Sequence, residues 1–260
     1  MQLSATAIAP SPDWRLAAVL VALVLLAVAA SYVGHLGVER MHLTASARAV
    51  TQLAVVSLVI SAVLGSLWWS LAFAVLMFLV ATWTSAGRID IPPAQLGWVA
   101  VAIGAGVVPV LALILGSGVI PFNGAGLVPT AGIVIGGAMT AATLTGRRAY
   151  DELTKGFGSY EAALALGLQA PEASFEVIQP TAKEALTPGL DQTRTVGLVT
   201  LPGAFVGVLL GGGTPLEAGA AQIMVLIGLM AAQALTAAVL LRLIASAHVV
   251  RRDFLGVYPR

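Results

Sequence analysis

The chain has 260 residues, of which 58% are hydrophobic and 10% charged, and its mean hydropathy is +0.95. A soluble domain carries about 25% charged residues, and a water-soluble fold of this length cannot hide so much apolar surface, so lipid is the solvent this composition calls for. A net charge of +1 without a basic stripe leaves no footprint for nucleic acid, and the absence of cysteine excludes disulfides, thiolate metal sites and cysteine nucleophiles.

Seven apolar runs are long enough for membrane helices. The first spans Trp14 to about Gly34, and Ala27-Val28-Ala29 within it resembles a signal-peptidase site. Yet Arg15 is the only cation before or within the run, Asp13 lies beside it, and the apolar stretch outlasts a signal core, so a retained span is expected. The second run is about Ala49 to Leu64, and Gly65-Ser66 turns the chain into the third, about Leu67 to Thr84. The fourth is about Leu96 to Leu115, the fifth Leu127 to Leu144, the sixth Thr195 to Leu210 with Pro202 inside it, and the seventh Ala218 to Ala245. Stretches such as Val19 to Ala30 lack the period-two alternation of barrel strands, so the expectation is an all-α integral membrane protein with about seven transmembrane helices.

Charge gives the orientation. Arg40, Arg48, Arg88, Arg147, Arg148, Lys155, Lys183, Arg194, Arg242, Arg251, Arg252 and Arg260 all fall on one set of connections or the C-terminal end. The alternate connections, Gly65-Ser66, Gly116 to Gly126 and Gly211 to Glu217, hold no Lys or Arg, and Arg15 is the one exception. The positive-inside rule then places the N-terminus outside and the C-terminus in the cytoplasm, as an odd span count requires. Gly132, Gly136 and Gly137 in the fifth run, and Gly203 and Gly207 in the sixth, put small residues at spacings that allow close helix packing or are simply common in membrane helices.

The segment from 146 to 194, between spans five and six, is too polar to insert and too short for a catalytic domain of its own. Ser159 reads as an N-cap with Glu161 in the first turn, Gly167 as a stop, Pro171 as the opening of a second helix and Pro180 as its interruption. Leu164, Leu166, Leu168, Phe175, Val177 and Ile178 give this segment apolar surface, suited either to docking another protein or to lying on the membrane.

The order Glu161-Ala162-Ala163, Gly167, Val177 and Gln179-Pro180 resembles the EAA loop of ABC permeases, with Val177 in place of Ile and Gln179 in place of Leu. A second likeness lies in Thr195-Val196-Gly197-Leu198-Val199-Thr200-Leu201-Pro202-Gly203, which is similar to the signature of FetB-like iron-export permeases, a family that includes plant aluminium-sensitivity permeases. Arg48-Ala49, Gln52-Leu53, Trp83, Arg88, Pro129, Ala131-Gly132, Ala138-Met139, Leu166-Gly167, Asp191 and Gln222-Ile223-Met224-Val225 extend the likeness over residues 48 to 245. The resemblance implies a single permease domain over residues 1–260 and a cytoplasmic coupling loop at 146–194 that docks on a separate ABC ATP-binding subunit. It also implies a homodimer of permeases and the export of iron or another metal as cargo. Gln52, Met139, Asp191, Thr195, Gly197, Pro202, Gly203, Gln222 and Met224 are the signature and candidate pathway residues.

The residues limit the chemistry. Neither Lys155 nor Lys183 follows a glycine, so no phosphate-cradling loop exists and ATP with its Mg belongs on the partner subunit. His35, His42 and His248 lie near span ends and form no metal-ligand cluster, and Met139, Met224 and Met230 are thioethers that pack as readily as they ligate. No catalytic residue, cofactor or metal site is expected in this chain. Gln52, Gln222 and Gln233, with Thr140 and Thr143, are polar groups inside lipid, serving either a pathway or interhelical hydrogen bonds. Asp90 and Glu217 sit at connections and make no intramembrane proton relay. Three alternatives stay open: an ATPase-independent secondary transporter or channel, an ABC permease for another cargo such as a nucleotide sugar, and a non-transporting scaffold.

Overall fold

The computed structural model describes residues 13–255, so Arg260 lies outside the described residues. Apart from an isolated bridge between Val196 and Thr200, the described secondary structure is helical, and the described chain forms two compact units that divide between Val63 and Leu64.

The first unit holds α1 (Trp14–Val33) and α2 (Glu39–Leu64). Asp13 caps α1 by accepting a hydrogen bond from the Leu16 N–H at 3.0 Å. At the other end, the Ser31 hydroxyl donates to the Glu39 carboxylate at 2.8 Å and fixes the turn into α2. The second helix starts ten residues before its apolar run because Glu39 to Arg48, although polar, continue the same helix. Leu26 and Leu58, like most apolar side chains of these two helices, are exposed, as lipid-facing positions are.

The second unit is built around α5 (Gly124–Lys155), which packs against α3 (Leu67–Ile89), α4 (Leu96–Gly116) and α10 (Pro215–Ala245). Val99 and Ile103 of α4, Ala131, Val134 and Ala138 of α5, and Ala232 and Leu240 of α10 form its buried centre. Small residues set the helix spacing. A methyl group on Gly106 would run into Ala232 O and Thr236 Oγ1 of α10, and one on Gly146 would lie 2.6 Å from Ile89 of α3. Of the glycines singled out by their spacing, Gly137 receives the Leu229 side chain, whereas Gly136, Gly203 and Gly207 have open space where a side chain would go.

Among the described residues six helices are long and apolar enough to cross a membrane: α1, α2, α3, α4, α5 and α10. The expected sixth span, Thr195–Leu210, is not one continuous helix. Residues 195–202 are unwound, with Gly197 at φ +81° and its N–H bonded to Thr200 O at 2.9 Å. Only α9 (Gly203–Leu210) follows, and its eight residues extend about 12 Å, against about 30 Å of hydrocarbon. Gly197, Pro202 and Gly203 explain the break: one needs positive φ, one lacks a donor, and one weakens a helix.

The polar segment is three helices: α6 (Phe157–Ala165), α7 (Ala170–Ile178) and α8 (Thr181–Arg194). Ser159 is not the cap expected of it. Helix α6 already begins at Phe157, because α5 runs on to Lys155 and breaks only at Gly156. Gly167 does stop α6 with φ +94°, its N–H donating to Leu164 O at 2.9 Å and that of Leu168 to Ala163 O at 3.1 Å. Pro171 lies in the first turn of α7, where Glu172 accepts from the Gln169 N–H at 3.2 Å, and Pro180 separates α7 from α8.

Past α10 the chain folds back as a clasp over the ends of three other helices. Tyr150 of α5 donates its hydroxyl to Val249 O at 2.5 Å, and the Val250 N–H donates to Gln95 Oε1, beside the start of α4, at 2.6 Å. The Arg252 N–H reaches Asp90 O at the end of α3 at 3.1 Å. Arg251 pairs with Asp253 at 2.8 Å and Asp151 at 3.5 Å, and the hydrogen bonds it donates to Asp253 raise the guanidinium pKa further. The same bond holds the Asp253 carboxyl below its ordinary value. The end of α3, the start of α4 and the ends of α5 and α10 therefore share one side, and Arg88, Arg147, Arg148, Arg242, Arg251 and Arg252 stand there.

Candidate functional site

Two features of the second unit stand out: an exposed hairpin of short helices, and a cavity beside the unwound segment.

The hairpin is α6, the Gly167 turn and α7. Leu166 at its tip is 83% exposed, and Glu161 and Ala162 are also exposed, while Ala163 is half-buried. Its base is fixed. Ile178 is fully buried, Val177 is half-buried against the core and lies 3.1 Å from the position of a methyl on Gly156, and Arg242 of α10 stacks over the Phe175 ring at 4.0 Å. A rigid base under an exposed apolar tip is a geometry for contact with another protein. Pro180, exposed, passes the chain to α8, and Thr181 ties the junction by donating its hydroxyl to Ile178 O at 2.6 Å.

The cavity has a volume of about 920 Å³ and lies between α5, α9 and α10, with Gln192 of α8 in its wall. Pro202, Gly203 and Gln222 line it, together with Thr130. Gln222 is 5% exposed, and its carboxamide oxygen accepts from the Phe205 N–H at 3.3 Å, so α10 caps the first turn of α9. The side-chain polar groups on this lining are two carboxamides and a hydroxyl, with no carboxylate, imidazole or thioether among them. Among the described residues no group of three or more metal-ligating His, Cys, Asp or Glu side chains is present anywhere.

The other sequence-selected residues are spread out. Asp191 and Thr195 lie at the end of α8, where the Thr195 hydroxyl donates to Asp191 O at 3.0 Å and Asp191 pairs with Arg194 at 3.3 Å. Gly197 turns the unwound segment. Met139 and Met224 are half-buried against the core cluster, and the Met139 carbonyl accepts from Ser85 at 3.2 Å and Thr143 at 2.9 Å, which gives Thr143 a structural task. Gln52 is exposed on α2 in the first unit. Glu217 is engaged in the cap of α10, accepting from the Thr214 N–H at 2.8 Å. Gln192 and Gly189 escaped sequence reading because the hydropathy pattern puts them in the polar loop. The helix end that carries them packs on α5 and α10 all the same.

Comparisons with known proteins agree with this architecture. The family model described as "Uncharacterised protein family (UPF0014)" matches residues 14–249. The chain is 37% identical over 213 residues to "UPF0014 membrane protein STAR2" of Oryza sativa subsp. japonica, an alignment covering 81% of this chain and 75% of the relative. It is 34% identical over 206 residues to "Protein ALUMINUM SENSITIVE 3" of Arabidopsis thaliana, covering 78% and 75%. It is 31% identical over 218 residues to "Probable iron export permease protein FetB" of Escherichia coli (strain K12), covering 82% and 83%. No solved structure matches it. With a family match running nearly end to end, relatives in plants and bacteria aligned over most of their length, and six helices fit to cross a bilayer, this chain belongs to the UPF0014 family and is a multi-pass membrane protein.

Proposed function

We propose that this chain is the membrane-spanning subunit of an ATP-driven exporter. Two copies pair in the membrane, and the α6–α7 hairpin docks on a separate ATPase subunit that binds ATP and Mg. The observation that carries this reading is the hairpin itself: an exposed Leu166 tip on a base anchored in the membrane bundle, continuing through α8 to the wall of a largely apolar cavity that Thr130, Gln192 and Gln222 enter. A chain without a phosphate loop needs such an entry point for force. Both units act as one permease. The seventh crossing is discontinuous, made by the inner end of α8, the unwound residues 195–202 and α9. Irregular backbone at such depth is tolerated where it meets a cavity or protein, and Pro202, at the end of the unwound stretch, lines the cavity. Seven crossings put the N-terminus outside and the cation-rich clasp in the cytoplasm.

The cargo is iron or another metal, by analogy with the printed name of the Escherichia coli relative. Two carboxamides and one hydroxyl in an otherwise apolar wall hold an ion weakly, which suits passage over storage, since conduction needs release as much as entry.

The test is purification of the full chain from its native membrane. Co-purification of a nucleotide-binding subunit supports the reading, and its reproducible absence overturns it. Within such a complex, Glu161→Lys and Gly167→Pro are expected to cut transport at least about tenfold while membrane insertion stays normal. Proline cannot adopt the positive φ of Gly167, nor replace its N–H bond to Leu164 O. Full transport by both variants would remove the hairpin from the mechanism.

A further inference from the structure

Helix α8 joins the hairpin to the cavity, and it carries an internal weak point. Pro188 lies inside the helix and has no N–H to give the carbonyl one turn back, and Gly189 follows it directly. Gly189 is buried, and the Gln233 carboxamide of α10 occupies the place a side chain would take there. The Gln233 oxygen is the nearest atom, the amide carbon lies 3.0 Å from that position and the nitrogen 3.1 Å. The same nitrogen lies 3.4 Å from the corresponding position on Gly137 of α5. One carboxamide is thus wedged between glycines of two different helices. One turn beyond Gly189, Gln192 enters the cavity wall, and on the other side Thr181 is bonded to the base of the hairpin.

We infer that Gly189 and Gln233 form the joint about which α8 turns, so that displacement of the hairpin moves Gln192 at the cavity. This rests on the transport reading above and adds the positioning residues that transmit the motion. Either part of the pair alone explains little. A glycine after a proline makes a helix pliable, and an amide in lipid usually seeks a hydrogen bond. Together they confine the pliable point to one place, so motion at one end of α8 reappears at the other. A bend free to occur anywhere along the helix would dissipate it.

The absence of cysteine makes a direct test possible in the full chain in its membrane. The pair Gln192→Cys and Val225→Cys, both on the cavity wall, reports the position of α8 through its rate of disulfide formation. Gly189→Ala is expected to slow that rate about fivefold or more, and Gln233→Ala alone to change it at least about twofold. The Gly189→Ala/Gln233→Ala double variant is expected to return within about twofold of the parent, the signature of two residues sharing one contact. In the ATPase complex the ratio of cargo moved to ATP hydrolysed follows the same order: low in Gly189→Ala, recovered in the double variant. A role in packing alone leaves that ratio unchanged. The inference is overturned if Gly189→Ala leaves crosslinking at the parent rate, if the double variant is as impaired as the single one, or if the ratio does not move. Should Gly189→Ala fail to accumulate, Gln233→Ala decides: unchanged crosslinking and an unchanged ratio overturn the joint. Crosslinking needs no partner, so if the chain binds no ATPase the ATP-driven reading falls on that result alone, while the crosslinking order decides the joint separately.

Discussion

At the scale of single residues, the second unit depends on groups with no spare room or no second partner. Gly106 is one. A side chain there meets the Ala232 carbonyl and the Thr236 hydroxyl at once, and backbone cannot move aside as a flexible side chain does. Gly106→Val is expected to cost about 1–3 kcal/mol, an overpacking penalty, read as a lower unfolding midpoint in detergent. Gln222 is another. Gln222→Leu keeps the volume but strands the half-buried Phe205 N–H, which is expected to cost about 1 kcal/mol. Faster hydrogen exchange at Phe205 checks it, whereas Gln222→Glu, which keeps an acceptor oxygen, is expected to preserve protection there. Both residues show what a sequence conveys at this scale. Gln222 is conspicuous because an amide in an apolar run is unusual, but its cap on α9 does not show in a sequence whose hydropathy merges α9 into a longer run. Gly106 had no local signal, since its constraint comes from a helix 126 residues away.

At the scale of elements, apolar runs located every long helix because twenty-odd apolar residues have one stable form in lipid. Boundaries differ where polar residues continue a helix beyond its apolar run, as Glu39 to Arg48 do at the start of α2 and Thr145 to Lys155 at the end of α5. Residues 195–210 failed for a different reason. Their hydropathy is that of a span, yet Gly197, Pro202 and Gly203 break it, and hydropathy does not register backbone geometry. The clasp was missed altogether, since its hydrogen bonds join positions 99 and 155 residues apart. Tyr150→Phe removes the O–H that meets the buried Val249 carbonyl and is expected to cost about 1–2 kcal/mol, seen as earlier proteolysis beyond Ser246. The pH response of the clasp follows from Asp253. Its folded pKa lies below the unfolded one, so its contribution is fully present above the ordinary Asp value of about 3.9. That contribution is lost as pH falls through the lowered value, while Arg251, whose pKa is raised, stays charged throughout. Protection of the Val250 amide is therefore expected to be level from about pH 5 to 9 and to fall only in strong acid, on the side of the ordinary value that Asp titration occupies.

At the scale of the whole molecule, protein cover is unevenly distributed. Over the apolar window of α5, 56% of residues are buried within the protein, whereas for α1 and for α2 the figure is 6%. The two kinds of helix answer to different neighbours: α5 to the shapes of other side chains, α1 and α2 chiefly to oiliness and length. In a saturation library, exchanges among Leu, Ile, Val and Phe should pass almost unnoticed along α1 and α2, and only a charge or a proline should register. Along α5 even a swap of Ala for Val at positions 131, 138 or 142 should silence the protein. Growth selection on such a library would draw the outline of the packed bundle from tolerance alone, and a flat profile across all three helices would mean that the crowded interior is not where the fitness of this chain is decided.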